Sequence, residues 1–315
     1  MKVESATAPS HQKDIDDDRH ACLLNVAQTN AGCGLSEESQ RYDYVIEGER
    51  REGFWQFLTR NWQECSNYHW AIRSFIANNL SRKYRRSVLG FLWGFLAPLM
   101  TLAIMSTMFS LIFHMNPERS VKYIFSGLIA WSFISESALQ GAGCLISAES
   151  FLKKLAIPKL FFPLVSVGTD TVNCLLNMMS LIALAAILGI EFKHSILVLP
   201  VVISITAIYN LGIALIYSVG TVHFRDLPHI LSVTYPALFY ALPVFYPMSS
   251  VPSQYHWIFY CNPLFWFINL FRHIIHDGTL PNALEWCIPM AIALFTLSCG
   301  LFVLSRNNRI LIYRL

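Results

Sequence analysis

Charge is scarce in this sequence. Only 14% of its 315 residues are Asp, Glu, Lys or Arg, against about 25% in an ordinary soluble domain. With 54% of the chain hydrophobic and a mean hydropathy of +0.44, there is too little polar surface to hold it all in water. The class that remains is a polytopic membrane protein. A formal net charge of +3 is too small to grip nucleic acid. Chemical motifs are missing as well. There is no G-x-x-x-x-G-K-[ST] loop to cradle a nucleotide's phosphates, nor even a Gly-Lys pair. No H-E-x-x-H, Ser–His–Asp arrangement or glycosidase-like carboxylate pair occurs. The eight cysteines include no C-x-x-C; Cys144, Cys174 and Cys299 fall inside apolar runs and read as small buried hydrophobes. His273 and His276 stand beside Asp277, but no further ligand set converges on them, so no metal site is expected. Residues 1–50 hold no apolar core of signal-peptide length, which leaves the first span as its own insertion signal.

What is present is organised around Leu80–Met100, LSRKYRRSVLGFLWGFLAPLM. Arg82, Lys83, Arg85 and Arg86 stand just before the first long apolar run. Cations gather on the cytoplasmic side of spans because carrying them through the bilayer core costs several kcal/mol. Residues 1–48 read as a flexible cytoplasmic tail. Residues 49–87 read as cytoplasmic amphipathic helices lying along the membrane surface, with Phe54, Trp55, Leu58 and Trp62 at helical spacing. A small soluble domain on the same face is the other reading. Residues 88–315 form the transmembrane domain.

Six spans are expected, over Phe91–Phe113, Tyr123–Ile146, Leu164–Ile190, Ile196–Val222, Ile230–Met248 and Trp286–Leu304. Trp257–Phe271 is apolar but short and broken by Pro263. It reads as a re-entrant helical pair rather than a seventh crossing. With both termini inside, eleven cations face the cytoplasm: the basic four, Lys153, Lys154, Lys159, Arg225, Arg306, Arg309 and Arg314. Four (Arg119, Lys122, Lys193 and Arg272) face outward. That asymmetry is the one spans require.

Several side chains stand out. Glu136 falls mid-span, where an ionisable group is a functional hypothesis by default; it lines a pathway, bonds across helices, or sits protonated beside Ser132, Ser135 and Ser137. Asp170 has the plainer setting of Thr169, Thr171 and Asn173. The aromatic set is large, with 22 Phe, 13 Tyr and 8 Trp. Most serve as interfacial anchors, among them Trp93 and Trp131. Rings can also pack on the C–H faces of sugars, and Phe245, Tyr246 and Phe265, with Trp131, Glu136 and Arg272, are pathway candidates. Gly90-x-x-x-Gly94 permits close helix approach. Arg225-Asp226 reads as helix-end capping and local pairing.

The order of these pieces resembles the membrane subunit of ABC-2 type exporters, in the branch that exports O-antigen, teichoic acid and capsule-like polysaccharides. The matching pieces are Lys83-Tyr84-Arg85-x-Ser87-x-Leu89-Gly90-x-Leu92-Trp93 with Pro98-Leu99, then Ser126-Gly127-Leu128 with Trp131, and FLKKLAIPKLFFP over Phe151–Pro163. They continue with Phe224-Arg225-Asp226-Leu227, Pro243-Val244-Phe245-Tyr246-Pro247 and Asn262-Pro263-Leu264 followed by Arg272. Asn78-Asn79 stands where the family often has Arg-Asp, and Ile157 where it often has Phe.

The resemblance implies an all-α permease subunit in the plasma (inner) membrane, acting as a homodimer with two copies of a separate ATPase that binds ATP and Mg. This chain binds no cofactor itself. Phe151–Pro163 would carry a coupling helix docking on the ATPase, through Lys153, Lys154, Pro158, Lys159, Phe162 and Pro163, with Arg225 and Asp226 near the same face. The implied cargo is a lipid-linked polysaccharide, and Arg82, Lys83, Tyr84, Arg85 and Arg86 are candidates to contact its phosphate. The positive-inside bias explains those cations nearly as well. The alternatives are a permease for a drug or lipid and a membrane-embedded transferase of lipid-linked sugars.

Overall fold

A computed structural model describes residues 54–84, 90–113, 117–154, 157–190 and 192–314, all within the unit Gly53–Leu315. The expected tail over 1–48, and Arg85 and Arg86, lie outside the described residues. Among the described residues all regular structure is helical. The principal helices are α1 (Phe54–Asn67), α2 (His69–Tyr84), α3 (Trp93–Phe113), α4 (Pro117–Ser147), α5 (Glu149–Lys154) and α6 (Phe161–Leu188). They continue with α7 (Leu199–His223), α8 (Leu227–Ala241), α9 (His256–Tyr260), α10 (Pro263–Arg272) and α11 (Ala283–Arg314).

Among the described residues three segments are long and apolar enough to cross a membrane: Phe161–Leu188, which is α6, His194–His223, which is α7 with the short 3-10 turn before it, and Ala283–Asn308 within α11. The apolar part of α3, Trp93–Met105, is shorter. Helix α4 has ample length at 31 residues, but Ser126, Ser132, Ser135, Glu136 and Gln140 dilute its hydropathy. The fifth expected span is cut short. Helix α8 ends at Ala241 because Leu242, preceding Pro243, turns extended at φ −93°, ψ 149°, the conformation a following proline favours. Its 15 residues reach only about 22 Å of the roughly 30 Å hydrocarbon core.

Helices α4, α6, α7 and α11 form the body, with α7 packed most closely between α4 and α11. The α7–α11 seam depends on glycine. A Cβ at Gly212 would come within 2.4 Å of the Thr296 backbone, and one at Gly300 within 2.6 Å of the Gly212 carbonyl. Such close backbone approach is how membrane helices gain contact where lipid tails compete equally for apolar surface. Gly90, by contrast, sits in a turn at φ 49° with open space around it. It opens the turn that leads into α3.

The body has two hydrophobic clusters. The larger joins α4, α6, α7, α8 and α10. The smaller lies where α1 and α2 meet the ends of α4–α7 and α11, and includes Phe57, Cys65, Leu152, Phe161 and Leu304. In α1, Phe57, Asn61 and Cys65 recur at helical spacing and face this cluster, whereas Trp55 and Trp62 are 76% and 73% exposed. Trp70 on α2 is exposed too. These helices thus pack on the bundle with one face and present indoles on the other.

Candidate functional site

An elongated groove opens between the end of α2 and the helices α3, α4 and α6, with a volume of about 370 Å³. Ionisable and amide groups enter it from three helices: Lys83 from α2, Glu136 and Ser132 from α4, and Asn173 and Asn177 from α6. Trp93 and Pro98 of α3 supply an apolar wall. Lys83 of the basic motif and the mid-span acid Glu136, 53 positions apart in sequence, therefore share one cavity, while Arg82 is exposed and off its lining. Asp170, 1% exposed, sits behind it beside Ser137 and Asn173 and near Glu136. Asp170, Asn173 and Asn177 fall three and four residues apart, on one stripe of α6. That spacing is visible in the sequence, yet of the six pathway candidates read from it only Glu136 lines this groove.

Trp131 does not line this groove. It is buried in the seam between α4 and α8, its ring 6.0 Å from Tyr235 and 5.4 Å from Phe239. Phe239 in turn meets Phe245 edge-on at 4.5 Å.

At the end of the bundle that carries α1 and α2, the Phe151–Pro163 segment divides into an exposed and a buried part. Phe151, Lys153 and Lys154 on α5 are exposed. Lys153 pairs with Glu149 at 2.5 Å. This contact, with Arg225 adding in the same sense, holds the Glu149 carboxyl below its ordinary range. The two short loops thus lie on one face, where Arg225 and Asp226 are both exposed. Pro158, Lys159, Phe161, Phe162 and Pro163 are buried, which corrects the expectation that Lys159 is presented outward for docking. Lys159, 8% exposed, donates to the Asn308 carbonyl of α11, and the two phenylalanines fill the smaller core cluster. Phe75 of α2 packs edge-on against both Phe161 (5.3 Å) and Phe151 (5.7 Å), joining α2 to this segment.

At the opposite end, Arg272 is 8% exposed. Its guanidinium donates to the carbonyls of Pro243 and Val244 at 2.8 and 3.1 Å. Those carbonyls lie where the chain leaves α8 and have no helical partner. Gly127 lies directly beneath: a Cβ there would come 2.9 Å from the Val244 carbonyl and 3.1 Å from Arg272. Tyr246 gives its carbonyl to the Tyr123 hydroxyl at 2.8 Å. The Ser126-Gly127, Pro243–Pro247 and Arg272 motifs therefore assemble into one fastening. Phe265 is buried among the rings of Phe259, Tyr260 and Trp266.

After Arg272 a π-helical turn, His273–Asp277, is closed by Gly278 at φ 64°. His273 stands between two carboxylates, Nδ1 3.2 Å from Asp277 and Nε2 3.0 Å from Glu285 of α11. The hydrogen bond to Asp277, with the charge of Glu285, raises its affinity for a proton above that of an ordinary histidine. His273 and His276 in turn hold the Asp277 carboxyl far below the usual range.

A family model described as ABC-2 type transporter matches residues 71–276, from the first turn of α2 to the π-helical turn. The chain is 28% identical over 223 residues to the O-antigen export system permease protein RfbA of Myxococcus xanthus, covering 70% of this chain and 86% of that one. A protein of the same name from Klebsiella pneumoniae is 27% identical over 203 residues, 64% of this chain and 78% of its own. The polysialic acid transport protein KpsM of Escherichia coli is 22% identical over 240 residues, 73% and 90% of the two chains. This membrane protein belongs to the ABC-2 type transporter family.

Proposed function

We propose that this chain is the permease subunit of an ABC exporter that carries a lipid-linked cell-surface polysaccharide across the plasma membrane. The observation that carries the reading is the alignment with permeases named for O-antigen and polysialic acid transport along most of their length. The fold adds physical support. A polar groove, about 370 Å³ in volume, runs among spans and begins at a cationic interfacial helix. Lys83 at its mouth suits a lipid-linked phosphate, and Glu136, Asn173 and Asn177 suit the hydroxyls of a sugar chain.

In this reading the subunit is a homodimer bound to two copies of a separate ATPase, which supplies ATP and Mg. Both termini are cytoplasmic, as the cation asymmetry favours. Helices α1 and α2 lie at the inner interface with Trp55, Trp62 and Trp70 in the headgroup layer. Six crossings follow, α8 completing the fifth with the chain beyond it, and α9–α10 dip in from the outer face. ATP binding closes the partner and displaces α5, the spans respond, and the polymer threads outward between the protomers.

The test is deletion with complementation in the native host. Deletion leaves polymer inside the cell, and the wild-type gene restores it to the surface. Glu136→Gln restores it several-fold more slowly while still co-purifying with the ATPase. Normal surface polymer in the deletion strain would defeat the reading.

A further inference from the structure

Between α9–α10 and the start of α11 lies a second cavity of about 430 Å³, within the roughly 300–1,000 Å³ typical of small-ligand sites. Its construction follows from a tight turn. Asn262 caps α10, its side chain accepting from the Leu264 amide at 3.0 Å, and Pro263 sets the first helical residue. Tyr260 is thereby brought beside Trp266, ring centroids 5.9 Å apart and planes at 40°. The indole N–H donates to the Tyr260 carbonyl at 3.0 Å, so the two rings are held as one wall.

The rest of the lining combines apolar side chains, Met248, Leu284 and Ile288, with a polar group of four. Asn269 and His273 follow Trp266 along one stripe, Asn282 stands just before α11, and α11 contributes Glu285. Glu285 is pinned from both sides, by His273 at 3.0 Å and by the Asn282 amide N–H at 2.8 Å. The carboxamides of Asn269 and Asn282 make no hydrogen bond with the described residues. Each offers both a donor and an acceptor.

An aromatic wall facing unengaged amides is the chemistry of a sugar ring, with an apolar C–H face and an edge of hydroxyls. The charge narrows the choice further. Among the described residues no lysine or arginine lines the cavity to pair with an acidic sugar: its charged groups are Glu285 and His273, Asp277 lies off the lining against His273 and His276, and the Arg272 guanidinium is directed away onto Tyr123, Pro243 and Val244. We propose that this cavity is a saccharide subsite at the outer face, taking an uncharged pyranose of the exported polymer and excluding acidic sugars. The assignment rests on the polysaccharide-export reading.

The photo-crosslinker p-benzoylphenylalanine, introduced at Leu284 on the cavity wall or at Thr101 in the inner groove, tests it in polymer-producing cells carrying the full transporter. Irradiation is expected to yield a glycan-bearing adduct at Leu284 that vanishes when polymer synthesis is blocked. Asn269→Ala with Asn282→Ala removes only unengaged amides and lowers capture about tenfold, the loss expected from two hydrogen bonds. Methyl mannoside competes with capture and sodium glucuronate does not. Capture at Thr101 but not Leu284 overturns the subsite while leaving export intact as a reading. Capture that persists without polymer synthesis assigns the sugar to another envelope glycan and likewise overturns it, and equal competition by glucuronate overturns the exclusion of acidic sugars. Surface polymer that persists when the gene is deleted removes the export reading and the subsite together.

Discussion

The guanidinium carbon of Arg272 lies 3.9 Å from the centre of the Tyr123 ring. The same side chain donates to two carbonyls at the end of α8, so one cation fastens α10, α4 and the α8 exit. Arg272→Gln leaves those carbonyls without a charged donor and removes the ring contact. A loss of about 2–4 kcal/mol is expected, read as a lower unfolding temperature of the detergent-solubilised protein. Arg272→Lys keeps the charge but not the planar fork and falls between. Tyr123→Phe loses only the bond to Tyr246 and costs about 1 kcal/mol.

Gly212→Ala and Gly143→Ala form a matched pair. Both place a methyl group in a helix, but only the first meets backbone, at 2.4 Å; at Gly143 nothing lies within 4 Å. Gly212→Ala is expected to destabilise by about 1–3 kcal/mol through overpacking of the α7–α11 seam. Gly143→Ala is neutral or stabilising by up to about 1 kcal/mol from helix propensity. Unfolding temperature and monodispersity on size exclusion separate the two.

The His273 contacts predict a pH signature. The affinity of His273 for its proton is raised from an ordinary value of 6.5, so its contribution is complete below that pH and lost as pH rises through the higher folded value. Asp277 is depressed from 3.8, so its contribution is complete above that pH and lost as pH falls from there. The stability difference between wild type and His273→Gln should therefore be greatest between about pH 4 and 6.5 and shrink on both sides. With Asp277 40% exposed at its side chain, solvent screening limits it to about 0.5–1 kcal/mol. A difference that stays flat from pH 4 to 9 would count against the His273 latch.

On the proposed ATPase face, Lys153 and Lys154 are expected to separate from Lys159. Lys153→Ala with Lys154→Ala should cut co-purification of the ATPase several-fold and move the unfolding temperature little, since both side chains are exposed. Lys159→Ala should lower the unfolding temperature instead, because it removes a buried side chain and its charged bond to the Asn308 carbonyl. The same loss of partner from both variants would show that the loop acts as one surface.

Much of this was legible from local pattern. The body helices follow apolar runs that admit no other secondary structure in a bilayer, and the outward indoles of α1 follow from spacing. The shortening of α8 was also available, since Leu242 precedes Pro243. What escaped depended on partners remote in sequence. Lys159 looks like any loop lysine until Asn308, 149 positions away, arrives beside it. Arg272 looked like a pathway cation because nothing near it in sequence announces the orphaned carbonyls at Pro243 and Val244. Asn269 sits on α10 and Asn282 just before α11, and only the turn between them brings both to one cavity.

The grip of Lys159 on Asn308 has a mechanical corollary. Whatever pushes on the loop between α5 and α6 also pulls on the tail of α11, because a charged tether crosses from one to the other. Since α11 is seated against α7 with backbones touching at Gly212 and Gly300, there is no slack to absorb the stroke along that seam. On the proposed mechanism the two helices are expected to travel as a single lever, with the give on the α3 side, which packs less closely.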